Sequence, residues 1–136
     1  MTTELRRGGI FTKINLNGYL KNITDNETIK INTNAIKAKQ KISYNLENEK
    51  YILHIISPTK LILNRTTNEI DSTFYFELNK VLPTIYTIKE NDLSLEIEIK
   101  TEKIEITDKY IKIIYAISET GNQYEYYIEM SEYKWV

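Results

Sequence analysis

Cysteine is absent from the 136 residues, and histidine occurs once, at position 54. The first absence excludes a disulfide framework, a thiolate metal site and a thiol nucleophile. It also fits a reducing compartment, so the chain is expected in the cytoplasm. A lone histidine cannot build a multi-histidine metal centre, and a catalytic triad would have to use His54 as its base. No G-x-S-x-G elbow, phosphate-binding loop or H-E-x-x-H accompanies it. His54 is therefore expected to be an ordinary strand residue, and neither an enzyme, a metal nor a cofactor is expected.

An excess of one charge is missing too. Eighteen basic and nineteen acidic side chains leave a net charge of −1. Nucleic-acid binders usually carry a basic excess or a basic stripe. Nucleic acid is therefore not an expected partner. No apolar run approaches a membrane span, and the longest, "YILHIIS", contains His54. The start "MTTELRRGGIF" has Arg6 and Arg7 but no apolar segment behind them, which argues against a secretion signal. Neither linker, repeat nor low-complexity stretch divides the chain. A single domain over 1–136 is expected, with a flexible N-terminus at 1–9 and a tail at 131–136.

What the sequence does have is period-2 alternation from near its start to about residue 130. The runs fall at 10–20, 27–33, 41–46, 50–57, 59–66, 71–78, 84–89, 93–106, 109–118 and 123–130. "ENE", "TDK" and "ETGNQ" separate some of them, and turns this short imply antiparallel neighbours. Pro58 and Pro83 sit between runs, where a missing N–H costs least. "NAIKAKQK" (34–41) is either a short helix capped by Asn34 or an outward continuation of the second strand. About ten short strands fit a barrel or a two-layer sandwich. A meander closes most simply into an up-and-down antiparallel barrel, and a closed or nearly closed barrel of eight to ten strands is expected.

In "LSLEIEIKTEK" (93–103), Leu93, Leu95, Ile97 and Ile99 take one parity while Ser94, Glu96, Glu98 and Lys100 take the other. A catalytic carboxylate pair needs one member in an apolar pocket. The glutamates here share their parity with Lys100, and the strands at 109–118 and 123–130 repeat the pattern of one apolar and one mostly polar side. They are expected on a solvated outer face. The apolar parity switches from odd to even between Ile99 and Ile104. A one-residue shift flips every later side chain, so a β-bulge is expected near Lys100–Lys103.

Arg65 shares parity with Leu61 and Leu63 and so points with the core. Its planar fork could anchor a carboxylate or phosphate. Alternatively it reaches past the rim to solvent. Eleven tyrosines, several near the C-terminus, suit strand packing. Tyr133 and Trp135 could fold back over a barrel mouth.

From "TKLILNRTTNEIDSTFYFEL" onward the chain shows a strand ending in arginine and then one with a central aromatic. After a further strand come the long "LEIEIKTEKIEI", "KIIYAIS", a glycine turn and "YEYYIEM". Over about 59–130 this order resembles the YwiB-like family of small bacterial proteins, whose fold is a lipocalin-like, calycin-like β-barrel. The resemblance would match Arg65 to an arginine recurring at that strand end. It would place Lys100, Thr101 and Lys103 in a K-T-K-like segment, with Glu102 a departure. The family is functionally uncharacterised, so the resemblance implies a fold and no activity.

Small barrels are either filled by their own side chains or hold one small ligand. The leading expectation is non-catalytic binding of a small apolar or amphipathic molecule. Its bed would be Leu61, Leu63, Ile97, Ile113, Tyr115 and Tyr126, with Arg65 as polar anchor. The alternative is an interaction module or homodimer with a filled barrel. An enzyme would need two carboxylates, or Arg65 with His54, to converge in a deep pocket.

Overall fold

Alternation becomes pairing throughout the computed structural model, which describes residues 11–133. The expectations for residues 1–9 and for Trp135 lie outside that range. Ten strands follow one another: β1 (Phe11–Asn22), β2 (Glu27–Ala38), β3 (Lys41–Leu46), β4 (Glu49–Ser57) and β5 (Lys60–Thr66), then β6 (Ile70–Glu77), β7 (Val81–Ile88), β8 (Leu93–Ile106), β9 (Tyr110–Ile117) and β10 (Gln123–Glu132). Each pairs antiparallel with its successor, and β1 pairs with β10 from Ile14↔Glu132 to Asn22↔Tyr124. The sheet is a closed up-and-down barrel, which sets aside the sandwich.

The tight hairpins need left-handed residues, and Asn26, Asn79, Asp92 and Gly121 take positive φ in four of the connections. Short polar side chains and glycine tolerate that conformation best. The expected bulge is present, with the β8–β9 register shifting between Thr101 and Lys103. Ile99 and Thr101 are buried before it, and Ile104 packs on the core after it.

One open alternative is settled and two expectations change. "NAIKAKQK" forms no helix: β2 runs on to Ala38 and pairs with β1 along its whole length, and that ladder holds the segment extended. Pro83 lies inside β7, opposite Glu98 of β8. It is tolerated there because the β6–β7 ladder stops at Thr73↔Ile85, so the proline faces no second ladder. Leu93 and Leu95 are half-exposed, at 50% each, although they share parity with buried Ile99. The β8–β9 ladder begins only at Ile99↔Ile117, so the first turn of β8 stands above its neighbour. The glutamates beside them, Glu96 and Glu98, are exposed as expected.

The interior is packed at the end where β1, β3 and β5 begin. Leu16, Ile42, Leu53, Leu61, Phe76 and Ile111 are essentially inaccessible there. Gly18 belongs to this wall for a steric reason. A Cβ built on it would stand 1.8 Å from the Tyr127 carbonyl oxygen across the β1–β10 seam. No real atom pair tolerates that approach, and the obstacle is backbone rather than a movable side chain. Gly18→Ala should therefore lower the unfolding free energy by about 3 kcal/mol. Urea denaturation measures it, and a loss under about 0.5 kcal/mol would show that the seam yields freely.

Candidate functional site

Residues directly opposite on neighbouring strands share a face of the sheet and stand close enough to touch. The register lines up Tyr44 with Tyr51, Tyr51 with Arg65, Arg65 with Ser72 and Ser72 with Tyr86. A belt of polar-tipped side chains thus crosses five strands on the inner face. It lies towards the end where β3 and β5 finish and β4 and β6 begin.

Above the packed floor this end holds a cavity of about 430 Å³. Its walls include Leu63, Phe74, Phe76, Tyr115 and Tyr126, and Arg65, Glu49 and Tyr51 form one side. Its lining includes both sides of the β2–β3 seam. Those strands pair only from Ala35↔Tyr44 to Ala38↔Lys41, leaving β2 from Glu27 to Asn34 without a ladder to β3. Ile29, Lys30 and Ile31 line the cavity on one side of the gap, and Leu46 and Glu47 on the other.

Arg65 points inward, and the Nε–Nη2 side of its guanidinium is occupied. Nε donates to Glu49 Oε1 at 3.1 Å and Nη2 donates to Oε2 at 2.9 Å. The Tyr51 hydroxyl completes the cluster: it donates to Glu49 Oε1 at 2.6 Å and accepts from Arg65 Nε at 3.2 Å. The Arg65 hydrogen bonds, outweighing burial, hold the Glu49 carboxyl below its ordinary value, and the same bonds push Arg65 up. Burial and the Glu49 carboxylate raise Tyr51 to about 12. The pair stays ionised and the phenol neutral across the physiological range.

The aromatics form two groups. Tyr44 stacks on Tyr51 with ring centres 4.8 Å apart, and its hydroxyl meets the Tyr126 hydroxyl at 2.7 Å. Across the lumen Tyr115 packs against Phe74, Phe76 and Tyr124. Burial raises Tyr44, Tyr115 and Tyr126 well above the ordinary phenol value. The Tyr115 hydroxyl has no hydrogen-bond partner among the described residues, although the side chain is only 6% exposed.

Of the residues expected to form a ligand bed, Arg65, Leu63, Tyr115 and Tyr126 line the cavity together. Leu61 and Ile113 are fully buried in the packing and do not line it. Ile97 is half-buried on the upper part of β8 and does not line it either. Arg65 points inward as its parity implies, and its bonded partner is a carboxylate of the chain itself. Glu49 was missed by reading "ENE" as a turn, yet it shares odd parity with Tyr51 and Leu53. That parity was the available signal. His54 lies on the outer face, where Nε2 meets Asn64 Oδ1 at 3.0 Å, so Arg65 and His54 stand on opposite sides of the wall.

The class these observations define is a closed antiparallel barrel with ten described strands, a packed floor and an aromatic cavity under one rim. The crystal structure of the ywiB protein from Bacillus subtilis has this fold. It superposes with a TM-score of 0.71, covers 91% of this chain and 94% of its own, and is 18% identical. At that identity the likeness speaks for architecture, which is the YwiB-like fold, and now extends well beyond residues 59–130. No family model and no curated protein matches the sequence. Among the described residues no helix is long and apolar enough to cross a membrane.

The Glu49–Arg65 pair is about one-third exposed on each side. Solvent screening limits its worth, and Glu49→Gln should cost about 1 kcal/mol at pH 7. A carboxyl with a lowered folded value contributes fully above its unfolded value, near 4.5, and loses the contribution as pH falls through the folded value. The gap between wild type and variant in urea denaturation should therefore close below that pH. A gap that stays constant down to pH 3 would show that the charge of Glu49 contributes nothing.

Proposed function

We propose that the protein is a non-catalytic binding barrel that holds one small apolar or amphipathic molecule in the cavity beneath its open rim. The observation that carries this reading is the cavity of about 430 Å³, whose walls are mostly aliphatic and aromatic. Ligand sites typically fall between about 300 and 1,000 Å³, with apolar walls and few polar groups. The gap between β2 and β3 supplies a way in. Two observations support non-catalytic use: the one histidine lies on the outer face, and the inward carboxylate and guanidinium bond each other. The reading is lipocalin-like in its use of a barrel interior, and we place it in the cytoplasm on the strength of the cysteine-free chain.

The test uses N-phenyl-1-naphthylamine, an uncharged dye that fluoresces in apolar surroundings. One equivalent should bind with a dissociation constant of about 1–10 μM, a range ordinary for a cavity of this kind. Leu63→Trp, which fills the wall, should abolish the signal while circular dichroism stays that of a β-barrel. Absence of dye binding to the wild type would sink the reading.

A second reading rests on the upper part of β8. From Leu93 to Ile97 the strand has no ladder on its β9 side, and Leu93 and Leu95 are half-exposed. An open edge of alternating residues is a template for pairing with a like strand. On this reading two copies join antiparallel through that segment. Light scattering should then give twice the 16.1 kDa chain mass, reduced to the single mass by Leu95→Glu. A wild type that stays at the single mass at millimolar concentration would rule it out.

A further inference from the structure

Resting on the cavity reading, we infer that the site selects an uncharged amphipathic ligand, an apolar body with one neutral hydrogen-bonding head, and that Glu49 is the residue that excludes carboxylates. Arg65 is the one guanidinium in the cavity wall, and a barrel arginine is the obvious receptor for an anionic head group. Here Glu49 already holds its Nε–Nη2 side through two bonds, at 3.1 and 2.9 Å, and Tyr51 braces the arrangement. A ligand carboxylate would have to displace Glu49 or lie beside it. The first strands a carboxylate in a partly buried wall, and the second sets like charges together where water is scarce.

The rest of the lining is balanced in the same way. The charged residues around the cavity are Lys30 and Arg65 against Glu47 and Glu49, two of each sign. A cationic head gains little either, because Glu49 is held by Arg65 and Glu47 is exposed to solvent, where its charge is screened. A neutral head has an opening. Tyr115 lines the cavity, is 6% exposed as a residue, and has no partner for its hydroxyl among the described residues. A buried hydroxyl can donate or accept, so an alcohol, carbonyl or amide satisfies it. Leu63, Phe74 and Phe76 then contact the apolar body.

The experiment displaces N-phenyl-1-naphthylamine with three ten-carbon probes at pH 7.4: decan-1-ol, decanoate and decyltrimethylammonium. In the wild type, decanol should bind at least about tenfold more tightly than either ion, the usual effect of one unpaired charge. Glu49→Gln frees Arg65, so decanoate should gain at least about tenfold while decanol changes little. Tyr115→Phe should weaken decanol by about fivefold and leave the dye unaffected. Decanoate binding as tightly as decanol in the wild type overturns the inference, whether or not the variants fold. So does a folded Glu49→Gln protein with no gain for decanoate. Failure of the dye and all three probes would instead remove the binding cavity itself, and the inference with it.

Discussion

The first strand and the last lie about a hundred residues apart, and their ladder is what turns a meander into a barrel. Bringing such distant segments together costs loop entropy that grows slowly with length, so a long continuous ladder can offset it. The seam supplies one, running from Ile14↔Glu132 to Asn22↔Tyr124. Without it the outer edges of β1 and β10 would stand open, and an open edge invites pairing with other chains. Gly18 sits in the middle of this seam, where the two backbones approach too closely for any side chain. Closure also fixes which parity is inside for every strand, because a shift of one residue would turn each apolar set outward. The bulge at Thr101–Lys103 absorbs the one such shift within β8 and returns Ile104 to the interior.

An ion pair inside such a barrel is tolerable only where water can still reach it. Full burial of two charges costs more than their attraction returns unless every polar atom is bonded. The Glu49–Arg65 pair sits at the open end, a third exposed, and both carboxylate oxygens are bonded. The floor, by contrast, is mostly aliphatic and aromatic, with Thr84 and Thr101 the buried polar side chains beside it. Polarity thus rises from floor to rim, and the belt from Tyr44 to Tyr86 marks the boundary.

Parity was legible wherever a strand is greasy on one side, which is why a barrel of eight to ten strands, their antiparallel order and the bulge were readable from alternation alone. Segment 34–41 was ambiguous because Ala and Lys suit a helix as well as a strand, and only the ladder to β1 decides it. Leu93 and Leu95 have core parity, yet exposure depends on how far the neighbouring strand extends. That is a property of pairing and is invisible in alternation. The inward aim of Arg65 followed from its spacing to Leu61 and Leu63. Its partner did not, since Glu49 sits at a turn where carboxylates are ordinary. A cavity is less legible still, being the space that side chains from several strands fail to fill.

Ten strands make a wider lumen than eight, and aliphatic side chains of ordinary length do not span it. At the floor the gap is closed by leucine, isoleucine and Phe76. At the rim the work falls to tyrosines, whose rings reach further but end in a hydroxyl that needs a partner. Tyr44 and Tyr126 solve this by bonding each other at 2.7 Å, which ties β3 to β10 although the two share no ladder. That bond crosses behind the short β2–β3 ladder and joins the wall where the sheet is weakest. Tyr115 has reached the same lumen with no partner for its hydroxyl among the described residues. The two tyrosine arrangements are alternatives within one constraint: a hydroxyl carried into a wide barrel is met by another strand, or it is left facing space that a guest can use.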